Sequence, residues 1–96
     1  MEEAKKHGVI LLYQIYNITD FSWEEFMKEM NDLGYLASVK GGATYYLPNN
    51  VLYHLSATPE SAIADFSAVT AYLGVFEDDR NCVAFEIVTD TWRGFF

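Results

Sequence analysis

The sequence predicts an α+β domain in which helices are threaded between strands, and three observations carry that expectation. A run that is apolar at nearly every position, Gly8 to Tyr16, opens the folded part of the chain. Two separate helix starts follow, at Ser22 and at Thr58-Pro59. A run rich in β-branched and aromatic residues, Cys82 to Val88, comes last. The 96 residues are enough for a single domain with one modest core.

The first run places Val9, Leu11, Tyr13 and Ile15 on one face and Ile10, Leu12 and Tyr16 on the other, interrupted by Gln14. Apolar residues on both faces predict a central strand covered on both sides. Ser22-Trp-Glu-Glu25 has the spacing of a capping box, in which the Ser hydroxyl takes the Glu25 amide and the Glu25 carboxylate reaches back. Behind it Trp23, Phe26, Met27, Met30 and Leu33 recur every three or four residues, the period of one helix face. Gly34 supplies a left-handed stop. Gly41-Gly42 and Pro48-Asn49-Asn50 are turn signals. Either Tyr35–Lys40 or Ala43–Leu47 can serve as the second strand; the favoured reading is a hairpin of Ala43–Leu47 with Val51–Ser56, which leaves residues 35–40 as an extra extended segment or a strand extension. Thr58 caps the second helix, Pro59 takes its first position and Glu60 its positive end. Ala62, Ile63, Phe66, Val69 and Leu73 form its apolar stripe, and Gly74 ends it. The order strand, helix, strand, strand, helix, strand is the split βαβ arrangement, a ferredoxin-like sandwich with two helices on one face of a four-stranded antiparallel sheet. Its core should contain Leu11, Phe26, Met30, Ile63, Phe66 and Phe85.

Charge narrows the partners. Fourteen acids against six bases leave a net charge of −8. A surface of that sign is repelled by nucleic acid, which is bound through Lys and Arg, and favours basic partners. The longest purely apolar stretch, Val9 to Tyr13, is too short to cross a bilayer, so no membrane partner is expected. The acids in Met1-Glu-Glu-Ala-Lys-Lys6 argue against a signal peptide. The single cysteine, Cys82, fits a reduced, cytoplasmic setting and excludes an intrachain disulfide. With His7 and His54 at no ligand spacing, no metal or other cofactor is expected.

Three strings carry a family resemblance: Leu47-Pro-Asn-Asn-Val-Leu-Tyr-His54, Glu60-Ser-Ala-Ile-Ala-Asp-Phe66 and Thr89-Asp-Thr-Trp-Arg-Gly94. They resemble small SinR-like proteins, relatives of the CRISPR-associated endoribonuclease that partners the spacer integrase. The resemblance spans roughly residues 9–94, with extra residues near 35–42. It implies the ferredoxin-like fold and a symmetric dimer. In the nuclease branch, an acid after the first strand is paired across the dimer to hold a divalent ion. Here Asn17 stands at that position, and an amide is a poor ligand for a hard cation. Asp20, three residues on, is the candidate substitute, at a displacement that normally ruins the octahedral placement Mg²⁺ requires.

The remaining candidates are weaker as chemistry. His54 has no nucleophile or carboxylate beside it in sequence and reads as a packed or edge histidine. Cys82 reads as a small core residue. Ser61 and Ser67 belong to no nucleophile elbow, and Gly41-Gly42 lacks the lysine of a phosphate loop. The expectation is a small acidic, non-catalytic binding protein. Glu24, Glu25, Glu29 and Asp32 on the first helix, with Glu77, Asp78 and Asp79, can imitate a row of phosphates toward a basic protein. Phage-encoded inhibitors of defence nucleases, anti-CRISPR proteins among them, share this size and charge. Trp92, Phe95 and Phe96 are costly to leave in water and are expected to bury themselves against a second copy. The alternatives are a metal-dependent endoribonuclease of the SinR-like type and a toxin–antitoxin component.

Overall fold

The structure, a computed structural model, describes residues 7–16, 20–40, 44–47 and 49–88. In order these form β1 (His7–Ile15), α1 (Trp23–Asp32), β2 (Ser38–Lys40), β3 (Thr44–Tyr46), β4 (Val51–His54), α2 (Pro59–Tyr72), a 3₁₀ turn (Glu77–Asp79) and β5 (Arg80–Val88). β1 lies at the centre of a three-stranded antiparallel sheet ordered β4-β1-β5. β2 and β3 pair with each other in a separate two-stranded sheet.

Both helices begin where the sequence predicts, but at α1 only the Ser22 half of the expected capping box forms, without the return bond from the Glu25 carboxylate. The Ser22 hydroxyl accepts from the Glu25 amide at 3.2 Å. α2 carries the reciprocal version: Thr58 Oγ1 accepts from the Ser61 amide at 3.1 Å, while the Thr58 amide donates to Ser61 Oγ at 3.0 Å. These bonds satisfy amides that the first turn of a helix leaves open. Both helices end alike. Gly34 donates to the Asn31 carbonyl and Tyr35 to that of Met30; Gly74 donates to Ala71 and Val75 to Thr70. This is the Schellman pattern, and it places Gly34 and Gly74 at φ +100° and +87°.

The core lies on one face of the sheet. Val9, Leu11 and Tyr13 of β1 meet Phe26 and Met30 of α1 and Ala62, Phe66 and Val69 of α2. The Tyr13 ring stands 5.2 Å from Phe26 and 5.5 Å from Phe66, so both helices pack on this same side. Leu11, Phe26, Met30 and Phe66 are buried as expected.

Four expectations need correction. Ile63 is 42% exposed and Phe85 55% exposed, so neither belongs to the core. Trp23 and Leu33, at the two ends of the α1 stripe, are also exposed. β1 is central but covered on one side: its second face, with Leu12 and Gln14, opens to solvent. The predicted hairpin is replaced. Thr44–Tyr46 pairs with Ser38–Lys40, not with Val51–His54. The outer edge of β4 is met instead by Leu36, which exchanges both backbone hydrogen bonds with Tyr53 at 2.8 and 3.0 Å. The Tyr53 hydroxyl then donates to the Ser38 carbonyl, drawing the chain across the corner of the sheet.

Candidate functional site

The acidic residues predicted as a contact surface fall into two groups. Glu24, Glu25 and Asp32 of α1 are exposed and Glu29 is half-buried. Their carboxylates have no ion-pair partner among the described residues. α1 runs back along β1, so Glu24 and Glu25 stand at the end of the sheet where β1 finishes, and Asp32 at the other. The rise of an α-helix sets those ends about 12 Å apart. The 3₁₀ turn joins the first group. The Tyr16 amide donates to the Asp79 carbonyl at 2.7 Å, which holds Glu77 and Asp78, both exposed, at the end of the sheet from which α1 departs. Asp20 is exposed at the same end. No group of three or more His, Cys, Asp or Glu among the described residues is arranged to hold a metal. Asn17, and the predicted interface residues Trp92, Phe95 and Phe96, lie outside the described residues.

The nucleophile and base candidates are occupied structurally. His54 Nδ1 accepts from the amides of Ser56 and Ala57, both at 3.0 Å. The proton therefore sits on Nε2, which donates to the Leu33 carbonyl at 3.0 Å. That ring ties the end of β4 to the end of α1 and leaves neither nitrogen for proton transfer. The Ser61 hydroxyl donates to the Thr58 carbonyl at 3.0 Å within the α2 cap. Cys82 is packed against the core, and burial pushes its thiol up in spite of the nearby Arg80 guanidinium. A raised thiol pKa leaves little thiolate for attack at neutral pH. Burial also raises the phenols of Tyr13, Tyr35 and Tyr53; Tyr35 in addition donates to Asp65 Oδ2 at 2.9 Å.

The feature that sequence reasoning missed is the open face of the sheet. Register puts Leu12 between Val51 and Val83, and Ile10 beside Phe85. Leu12, Val83 and Phe85 are 40%, 51% and 55% exposed. Together with Gln14, Asn49, Asn50 and Asn81 they line a depression of about 450 Å³. There Asn81 Nδ2 donates to the Tyr16 hydroxyl at 2.8 Å, which donates in turn to Gln14 Oε1 at 2.6 Å. Among the described residues, no charged side chain lines this depression. The signal was present in the sequence as the polar Gln14 and Asn81, which pair across β1 and β5 on that face.

No helix among the described residues is long and apolar enough to cross a membrane. Comparison of the chain with protein-family models, curated proteins and solved structures finds no match, so the reading of this site rests on its own chemistry.

Proposed function

We propose that this domain is a non-catalytic binding protein that works as a homodimer and offers carboxylate-bearing surfaces to a basic protein. The observation that carries this is the set of exposed acids Glu24, Glu25, Asp32, Glu77 and Asp78 on a chain of net charge −8. Clustered carboxylates attract Lys and Arg and repel phosphate, so the partner is a protein whose own surface is built for an anion. A nucleic-acid-binding protein is such a partner, and a domain that occupies its groove acts as a mimic of nucleic acid. Inhibition of a defence nuclease is the biological form this reading takes. The absence of catalysis is supported by the commitment of both His54 ring nitrogens, the capped Ser61 hydroxyl and the raised Cys82 thiol. We also infer the ferredoxin-like layout, with the segment at Leu36 in the place of that fold's second strand. Its bridge to Tyr53 on the outer edge of β4 supports this.

Reversal of charge at Glu24, Glu25, Glu29 and Asp32 tests the surface. The wild-type domain, immobilised, should retain a basic protein at low salt and release it at high salt. The reversed variant should retain none of it; equal retention would exclude α1 as the contact. Incubation with RNA and DNA under Mg²⁺ or Mn²⁺ should give no cleavage. Cleavage lost in Asp20→Asn would instead make the domain a nuclease.

A further inference from the structure

We propose that the open face of the three-stranded sheet is where a second copy of this chain docks, face to face about a two-fold axis. This rests on the dimer reading above and names the surface it uses.

The first argument is charge. The chain carries −8, and two copies repel wherever their acids approach. Among the described residues, the open face is free of acids. Its strands present Ile10, Leu12, Val51, Val83, Phe85 and Ile87, and its end presents carboxamides and the Tyr16 hydroxyl. The ion pair of His7 with Glu86 involves residues that share the register of Val9 and so belongs to the helix side.

The second argument is symmetry. In a two-fold interface every group meets itself or its counterpart, so the surface must complement itself. A carboxylate or an ammonium fails that condition. An apolar side chain meets it, and so does a group that is both donor and acceptor, as Asn, Gln and Tyr are. The described open face is built from those two kinds of group alone. Among its described residues a basic partner would find no carboxylate. An anionic lipid surface would find no Lys or Arg among them, and would repel the rest of the chain.

The third argument is size. Two strands about 4.8 Å apart, β1 and β5 over the seven residues from Gly8 to Gln14, with Val51 of the shorter β4, give a face on the order of 250 Å² in projection, since Tyr53 on β4 is buried under the chain at Ser38. Two such faces bury a total of order 1,000 Å² once side-chain relief is counted, the range of weak, reversible complexes. The dimer should therefore exchange with monomer at micromolar concentration.

The test is a dilution series on the full chain by NMR and sedimentation equilibrium, with Phe85→Glu as the variant. On concentration, the amide signals of Leu12, Val83 and Phe85 should shift together as the mass rises from monomer to dimer. Self-association should strengthen several-fold from low to high salt, because salt screens acid–acid repulsion, whereas capture of a basic partner weakens. Phe85→Glu should keep its circular dichroism and associate at least about tenfold more weakly, since it sets like charges together in the interface. The dilution shifts need no variant, so a misfolded Phe85→Glu would not rescue the idea. A dimer whose shifts map to the helices, or that weakens with salt, would exclude the open face but leave a dimer standing. A wild-type chain that stays monomeric at high micromolar concentration would sink the dimer itself. If removal of residues 89–96 then moved the Leu12, Val83 and Phe85 signals, the occupant would be the chain's own tail.

Discussion

The two faces of the central strand are made of similar residues and meet opposite fates. On one side Val9, Leu11 and Tyr13 are buried beneath both helices. On the other, Leu12 is 40% exposed and its neighbour Val83 51%. Alternation along a strand decides which residues share a face but not which face is covered. Coverage comes from the helices, and both lie on the same side, where Phe26 and Phe66 close on Tyr13. On the open side the chain covers one corner, where the Tyr53 hydroxyl reaches Ser38. A sheet with one packed face and one uncovered apolar face is therefore what this order of elements produces, and the uncovered face is where binding is cheapest in apolar area.

The contrast is broken most directly by one phenylalanine from each side. Phe66→Ala should cost about 3–5 kcal/mol in chemical denaturation, the range for truncating a packed core ring. A cost below about 1 kcal/mol would mean that the helix side is not the core.

Alkaline titration sharpens the same distinction. Tyr13, Tyr35 and Tyr53 are buried, and burial raises each phenol above its ordinary value of 10.0. Each should ionise in the unfolded chain before it does so in the folded one. Stability should hold below pH 10 and fall as pH climbs above it, by up to about 1.4 kcal/mol per pH unit for each such group. Tyr35→Phe should flatten that fall. Unfolding with no steepening above pH 10 would show that these phenols reach solvent.

Two glycines offer a finer comparison at the ends of the two helices. A methyl at Gly34 would stand 2.5 Å from His54 Nε2, whereas one at Gly74 would meet nothing within 4 Å. Both have positive φ, which costs a residue with a side chain about 1 kcal/mol. Gly74→Ala should show roughly that cost, and Gly34→Ala about 1–2 kcal/mol more, since it displaces the ring that joins α1 to β4. Equal melting shifts for the two would mean that the His54 bonds contribute little. The smallest effect should come from Phe85→Ala measured on dilute monomer, below about 1 kcal/mol, because the ring is already more than half in water.

Much of the local structure was legible in the residues themselves. Ser22 and Thr58 cap their helices through their own hydroxyls, and Gly34 and Gly74 end them at positive φ, because capping and chain reversal depend on a few neighbouring atoms. The core stripe was legible where helical period and sheet contact coincide, at Phe26, Met30 and Phe66. It failed at Ile63 and Phe85, since apolarity alone does not say whether anything lies opposite. The pairing of β3 was misread for a similar reason. Turn residues mark where a chain can reverse, but which edge a short strand then joins depends on competitors distant in sequence. Here Leu36 takes the edge of β4, and Ser38–Lys40 takes Thr44–Tyr46. The acidity of the chain was fixed by composition. What the tertiary structure alone decided is where, among the described residues, that charge is missing: an uncharged, apolar sheet face exists because both helices chose the other side.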